Sequence, residues 1–431
     1  MVLLVLVFLC HGESVFSQTP PSGDVTVTSD LFPNRHNTAE FRARVFAEEV
    51  LDPTPKLLIT LSGFAEGLLA RRPVPPASTR ETVSSGILRV VDASVDYKAS
   101  RVDVLAGFTR IAWGRLDELQ PTDVINPLDV SRFFFESRSE ARLPVPLVRI
   151  RGHVSENASI EGVYVPFFRR GRFDQLDEPT SPFNIESSFV PADVACLAIG
   201  CPSVLPVSVA RREPSRTPGN AQGGVKLNAT TGRMDWSLSA FRGFEPFGLA
   251  SVGAPTPGAA VFPIDVIHPR FTMVGGDFET VRGDWGVRGE IAAFVDDNFQ
   301  GSSPGIVKGS SVDAGVGVDR KAGVYRVSAT ALFHRESYDA PLSPAGSHSR
   351  ADLSMIVSGD RTFSRERFRV RTFGVYNATE ASAFLRGIAI ATLRDNLAIE
   401  GSGGWFLGDG RDLIGRFADS DFVLAKLKYY F

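Results

Sequence analysis

Past the first ten residues, no run of this chain approaches the ~20 apolar residues that a membrane-crossing helix needs. Charge of one sign is missing too: 46 Lys and Arg stand against 49 Asp and Glu, a net charge of -3 with no basic cluster. A nucleic-acid partner is therefore not expected, since nothing is concentrated enough to neutralise a phosphate backbone. The 6 His are scattered without metal-ligand spacing. Neither a phosphate-cradling glycine loop nor a nucleophile elbow is present. Asp296-Asp297-Asn298 lacks the spacing of a dedicated calcium loop. On these grounds no cofactor, no metal and no enzymatic activity are expected. Of the 3 Cys, Cys10 lies in the apolar opening, and Cys196 and Cys201 stand five apart in the longest connection. A disulfide between those two is favoured over metal binding, because no nearby His completes a zinc set.

What is abundant points to strands and turns. The chain has 40 Gly, 32 Phe and 28 Pro, with a mean hydropathy close to zero. Val2 to Cys10 is continuously apolar and is followed by polar residues and then Val15-Phe16-Ser17. This reads as a signal peptide over residues 1–17, cleaved before Gln18, although no Lys or Arg precedes the apolar run. Leu9 is too large to precede a lipidated cysteine at Cys10. With helices excluded as spans, a membrane role requires a closed sheet, which satisfies every backbone group between strands.

The last segment carries the strongest pattern. Counting back by twos gives Phe431, Tyr429, Leu427, Ala425 and Val423, all apolar or aromatic, against Tyr430, Lys428, Lys426 and Leu424. A period of two puts one face in lipid and the other toward a polar lumen. Leu397, Ile399, Gly401, Gly403, Trp405 and Leu407 form another outward row, and Trp285, Val287, Gly289, Ile291, Ala293 and Val295 a third. Ile388, Ile390 and Thr392 are read as outward likewise. Such segments run to roughly the 9–11 residues of a tilted membrane strand.

Tight turns are expected at Lys98 to Arg101, Thr230 to Arg233, Val281 to Asp284, Asp319 to Gly323 and Arg394 to Asn396. Longer connections are expected at Leu69 to Ser85, Gly114 to Arg142, Phe168 to Gln222, Glu245 to His268 and Glu336 to Arg350. That alternation predicts an all-β, transmembrane antiparallel barrel over residues 38–431, with short periplasmic turns and long extracellular loops. Counting residues 18–37 as carrying a first strand gives about 18 strands, with 16 as the alternative. A lumen of that size is wider than side chains can fill, so residues 114–142 are expected to fold inward. Residues 168–222 are read as a long extracellular loop.

Two segments resemble known proteins. The ending at Tyr429 and Phe431 resembles the signal read by the bacterial barrel-assembly machinery, which implies insertion into an outer membrane of lipid and lipopolysaccharide. Arg110, Trp113 and Gly114 at a strand end, followed by Asp123, Asn126, Pro127 and Asp129, resemble the hallmark of a proteobacterial outer-membrane family known chiefly as a domain of unknown function. Relatives of that family are associated with exporters of the resistance-nodulation-division (RND) type, which implies such an exporter as a partner and lipid or other hydrophobic cargo. Read physically, Asn126-Pro127 favours a turn, Asp129 can cap a short helix through Val130 to Arg132, and Trp113 suits a membrane interface. The motif serves either as scaffolding for one loop or as a contact to cargo.

The lumen face is charged in both signs. Arg367, Arg369 and Arg371 share one face of a strand, as do Arg42 with Arg44 and Arg149 with Arg151. Asp92, Asp96, Asp277, Glu279, Glu290, Asp313 and Glu400 are also inward. Such residues either brace the wall in pairs or set ion selectivity. Inward Phe46, Phe64, Phe294, Phe373 and Phe406 suit packing against an inserted loop or a hydrophobic path. A channel with a charged, loop-constricted lumen is the first functional reading. The second is a conduit for hydrophobic molecules working with an RND-type exporter, and the third a surface-display or structural barrel.

Overall fold

A computed structural model describes residues 21–34, 38–74, 79–131, 138–172, 207–253, 262–301, 305–341, 346–364, 367–410, 412 and 414–431. The signal-peptide segment, the Cys196–Cys201 pair and Phe133 to Phe135 lie outside the described residues. The first strands are β1 (Ser22–Phe32), β2 (Thr38–Thr54), β3 (Leu57–Val74), β4 (Thr79–Lys98), β5 (Val102–Thr109), β6 (Val145–Ser155) and β7 (Ala158–Val165). There follow β8 (Val207–Arg212), β9 (Gln222–Thr231), β10 (Met234–Phe244), β11 (Leu249–Val252), β12 (Phe262–Ile267), β13 (Arg270–Arg282) and β14 (Trp285–Gln300). The last are β15 (Ile306–Ala322), β16 (Tyr325–Tyr338), β17 (Ser349–Phe363), β18 (Phe368–Asn377), β19 (Ser382–Arg394), β20 (Leu397–Leu407) and β21 (Phe422–Tyr430).

Eighteen of these form one antiparallel sheet in which each strand pairs with its sequence neighbours. β1 pairs with β2 on one side and β21 on the other, so the sheet closes and has no free end. The remaining three, β8, β11 and β12, form a small sheet within the long connections. Eighteen strands is the higher of the two expected counts, and the segment before Thr38 supplies the extra one.

Every connection on the side of the two chain ends is two to four residues long. Three of these turns place a glycine at φ near +60°, Gly232 (63°), Gly283 (59°) and Gly323 (60°), a conformation that costs a side-chain-bearing residue far more. On the opposite side are the long connections after β5, β7 and β10, of which residues 110–131, 138–144, 166–172, 207–221, 245–253 and 262–269 are described. Two expected loops are shorter than read. β3 and β4 stay paired to Val74 opposite Thr79, so Leu69 to Ser85 is a hairpin standing above the lipid belt. β16 likewise runs on to Tyr338, and β17 starts at Ser349. Both strands lose their apolar row before they lose their backbone pairing, and only the former is visible in sequence.

The outward row of β21, Val423, Leu427 and Tyr429, is exposed, as are Ile399, Trp405 and Leu407 of β20 and Trp285, Ile291 and Val295 of β14. An exterior of this kind around a closed barrel is a lipid-facing belt. β19 has the opposite phase to the one expected. Ile388 lies across from Arg371 and Ser402, and Ile390 across from Arg369 and Glu400, so both face the lumen. Gly387, Ala389 and Ala391 face lipid with Leu385.

Phe431 continues the seam beyond β21. Its N–H donates to the Gly23 carbonyl at 3.1 Å, and its own carbonyl accepts from the Gly23 N–H at 3.0 Å. Deleting Phe431 removes both bonds where first and last strands meet. Outer-membrane levels of the deletion should fall sharply, read by the heat-modifiable band on gels; normal levels of folded barrel would contradict this.

Candidate constriction of the lumen

At Thr109 the chain leaves the wall, and residues 110–131 and 138–144 lie in the barrel interior before β6 resumes the wall. The loop is seated by an apolar cluster in which Ile111, Trp113 and Ile125 pack against Leu147, Val163, Phe241, Phe271 and Met273 of the wall. Trp113 is only 2% exposed. Its indole N–H donates to Glu161 on β7 at 2.8 Å, and its ring meets Phe241 edge-on at 6.2 Å. The expected place at the lipid interface is therefore wrong: Trp113 is the loop's anchor inside the barrel, where its N–H needs a buried acceptor. Glycines on the wall make room. A Cβ on Gly224 would lie 3.0 Å from the Trp113 ring, and one on Gly315 would lie 2.5 Å from Leu116.

The motif residues brace this path. Asn126 accepts from the Ile111 N–H at 2.9 Å and donates to the Leu143 carbonyl at 2.9 Å, tying the two limbs of the loop together. Leu143 N–H donates to the Pro127 carbonyl at 2.8 Å. Asp123 accepts from the Trp113 N–H at 3.2 Å and pairs with Arg142 at 2.7 Å. Asp129 is not a helix cap. Leu128 and Asp129 form isolated bridges to Arg142 and Arg172, and the Asp129 carboxylate turns to Arg89 of β4 at 3.1 Å. A nearby guanidinium outcompetes backbone N–H groups for that carboxylate. Arg110, just past β5, is half-buried; burial lowers its pKa from the usual arginine value, opposed by the Asp92 carboxylate.

Glu290, on the inward face of β14, grips the loop directly. Its carboxylate accepts from the backbone N–H groups of Arg115 (3.0 Å), Leu116 (3.3 Å) and Thr122 (2.7 Å), and from the Thr122 hydroxyl at 2.8 Å. Gly114 sits at φ +92°, and a Cβ there would come 2.6 Å from the same carboxylate. In Glu290→Ala each backbone N–H left without an acceptor should cost about 1–3 kcal/mol. The loop should then leave its seat intermittently, seen as flickering between two conductance levels in single-channel records; a quiet single level would show that the grip is dispensable.

Beyond Glu290 the loop crosses the lumen on charged residues that sequence reading passed over. Arg115 reaches Asp277 at 2.6 Å, and Lys226 reaches the same carboxylate at 3.0 Å. Asp117 pairs with Arg288 of β14 at 2.9 Å, while Glu118 pairs with Arg371 of β18 at 3.1 Å. Two adjacent acids thus touch strands four apart in the wall. The run Arg115 to Leu119 within a loop already read as inward was the available signal. Of the arginine ladder, Arg371 is held by Glu118, whereas Arg367 and Arg369 have no ion-pair partner among the described residues. A cavity of about 550 Å³ opens on the side of the tight turns, bordered by Arg326, Arg369 and Arg371 and by Asp117 and Glu118 of the loop.

Other expected lumen residues are inward but braced. Arg42 lies between Glu40 and Asp30, Arg44 meets Glu66 at 2.9 Å, and Arg151 meets Glu161 at 2.7 Å. Glu400 is shared by Arg386 and Lys426, at 3.5 and 3.4 Å. Phe294 joins the cluster around Trp113, and Phe373 and Phe406 pack with Phe417 from the connection after β20. Arg44 lies over the Phe64 ring at 4.5 Å.

Residues 90–331 match the sequence family described as protein of unknown function (DUF1302), more than half of the chain. The chain belongs to the DUF1302 family. The matched region runs from β4 to β16 and contains the whole inserted loop, so the DUF1302 part holds both the loop and the Glu290 that grips it. No curated protein matches the chain. Among solved structures, Pseudomonas aeruginosa OccK7 (OpdD) is similar over 95% of this chain and 97% of its own, at 7% identity and a TM-score of 0.50. Acinetobacter baumannii OccAB4 is similar over 97% and 100%, at 10% identity and a TM-score of 0.49. This DUF1302 member is a multi-pass β-barrel of the outer membrane, spanning it with strands; among the described residues no helix is long and apolar enough to cross a membrane.

Proposed function

We propose that the protein is an outer-membrane channel in which a solute passes passively through a lumen narrowed by the loop of residues 110–131. The observation that carries this reading is the chain of contacts from Glu290 through Asp117 and Glu118 to Arg371, which holds a charged loop across the interior at a fixed height. An 18-stranded lumen left empty would be too wide to discriminate between solutes. Both apolar clusters of the interior are filled by buried side chains, so the open part is bounded by charged wall. That favours a hydrated, charged solute on the axial route over the hydrophobic cargo that an RND-type exporter would deliver. Refolded protein in planar bilayers should give discrete ion-conducting steps. Silence from barrels shown to be folded and inserted would overturn the reading and leave a display or structural role.

A further inference from the structure

The cavity of about 550 Å³ on the side of the tight turns is floored by the inward faces of three neighbouring strands, β16, β17 and β18. Its volume is in the range of small-molecule sites. Register sorts its side chains into rows. Nearest the turn, Thr362 lies across from Arg369. In the next row Asp360 lies between Arg326 and Arg371, and deeper in Ser358 lies across from Ser328. The two serine hydroxyls are joined at 2.7 Å. Asp117 and Glu118 border the cavity from the loop.

Asp360 is the odd member of this set. An acid directly across from two arginines is expected to pair with one of them, because opposite charges on neighbouring strands attract. Instead Arg326 turns to Asp319 at 3.4 Å, and Arg371 turns to Glu118 of the loop at 3.1 Å. Both guanidiniums that the register offers to Asp360 are thus engaged elsewhere. Its carboxylate has no hydrogen bond or ion pair among the described residues, and the Arg369 guanidinium is in the same state. The two are diagonal neighbours across β17 and β18, positions about 7–8 Å apart. One carboxylate and one guanidinium therefore face the same cavity, each without a protein partner among the described residues.

We propose that this cavity is a binding site for small zwitterions of the α-amino acid type, with Asp360 taking the ammonium and Arg369 the carboxylate. The assignment rests on the channel reading above and names the class of solute that the lumen favours. A simple anion would bring its charge against Asp360, and a simple cation would bring its charge against Arg369. A molecule that carries both charges leaves neither group unmatched. Each contact is then a charge-assisted bond, and the guanidinium fork suits a carboxylate. Ser328, Ser358 and Thr362 give the rest of the floor hydroxyls, which suit a solute that keeps part of its water.

The test titrates full-length protein, refolded in detergent micelles, with L-alanine and reads binding by saturation-transfer NMR. Propionate lacks the ammonium and ethylammonium lacks the carboxylate, so each should bind about tenfold more weakly than alanine through the loss of one charged hydrogen bond. Asp360→Asn should erase the preference for alanine over propionate, and Arg369→Gln the preference over ethylammonium. Each exchange thus moves a different ratio, which a merely loosened barrel would not do. Equal binding of alanine and propionate to the wild type would overturn the proposal, as would an unchanged ratio in Asp360→Asn. If either variant does not fold, the three-ligand comparison on the wild type decides by itself. Binding is read without conduction, so the two ideas fail separately. Absence of alanine binding in barrels that conduct would remove the site alone, whereas alanine binding to folded but silent barrels would remove the axial channel alone.

Discussion

Replacing Arg115 to Pro121 with a short Gly-Ser linker should raise single-channel conductance several-fold. These residues carry the contacts that reach across the lumen, Asp117 to Arg288 and Glu118 to Arg371. The anchors on either side, Trp113 and Asn126, are left in place, so the wall cluster and the tie between the two limbs persist. That choice matters. Trp113→Ala would itself open the loop, but losing a buried Trp costs about 3–5 kcal/mol and would confuse an open pore with a failing barrel. Folding of the linker variant is checked by heat-modifiable mobility and its conductance in planar bilayers. An unchanged conductance in a folded barrel would mean that the narrowest zone lies elsewhere.

Exchanging both Arg369 and Arg371 for Gln should move the reversal potential under a salt gradient toward cations. Arg369 has no ion-pair partner among the described residues and borders the cavity on the side of the tight turns, so its charge acts on whatever passes. At about 7 Å in a water-like medium a unit charge contributes about 0.6 kcal/mol, close to the thermal energy. Removing Arg369 alone should thus change the local anion concentration about threefold and, since cations respond in the opposite sense, the anion-to-cation permeability ratio about sevenfold. Arg371→Gln adds to this by leaving Glu118 uncompensated. The single exchange at Arg42, which is buried and does not border that cavity, should do much less. Equal shifts at Arg42 and Arg369 would argue against any special role for the ladder. High salt should shrink all these differences.

The barrel was legible where one face of a strand is wholly apolar and the other is not. β14, β20 and β21 meet that condition, and the structure keeps their phase. β19 does not. With Ile388 and Ile390 on one face and Leu385, Gly387, Ala389 and Ala391 on the other, period two is plain but its phase is not, and pairing with Arg369 and Arg371 decides it. Trp113 shows a different limit. An aromatic beside a strand end is common at a membrane interface, and its true acceptor, Glu161, is two strands away in the wall. The chain bends at Ile125-Asn126, where the sequence before Pro127 could be read locally because its chemistry is local. Asp129 could not, because a cap and a distant arginine ask for the same side chain. Glu290 was visible as an inward acid, but its partners lie in a loop that enters from the other side of the barrel.

That last contact ties the loop to the order of assembly. Side chains alternate along a strand, so a one-residue slip of β14 would turn Glu290 into lipid and leave the loop without its clasp. The loop can be seated only after β14 has taken its register against β13 and β15. A mispaired barrel would therefore be wide open as well as strained, with its interior accessible to periplasmic proteases. The seated loop thus depends on assembly: the lumen is narrowed only where the strands around Glu290 were laid down in step.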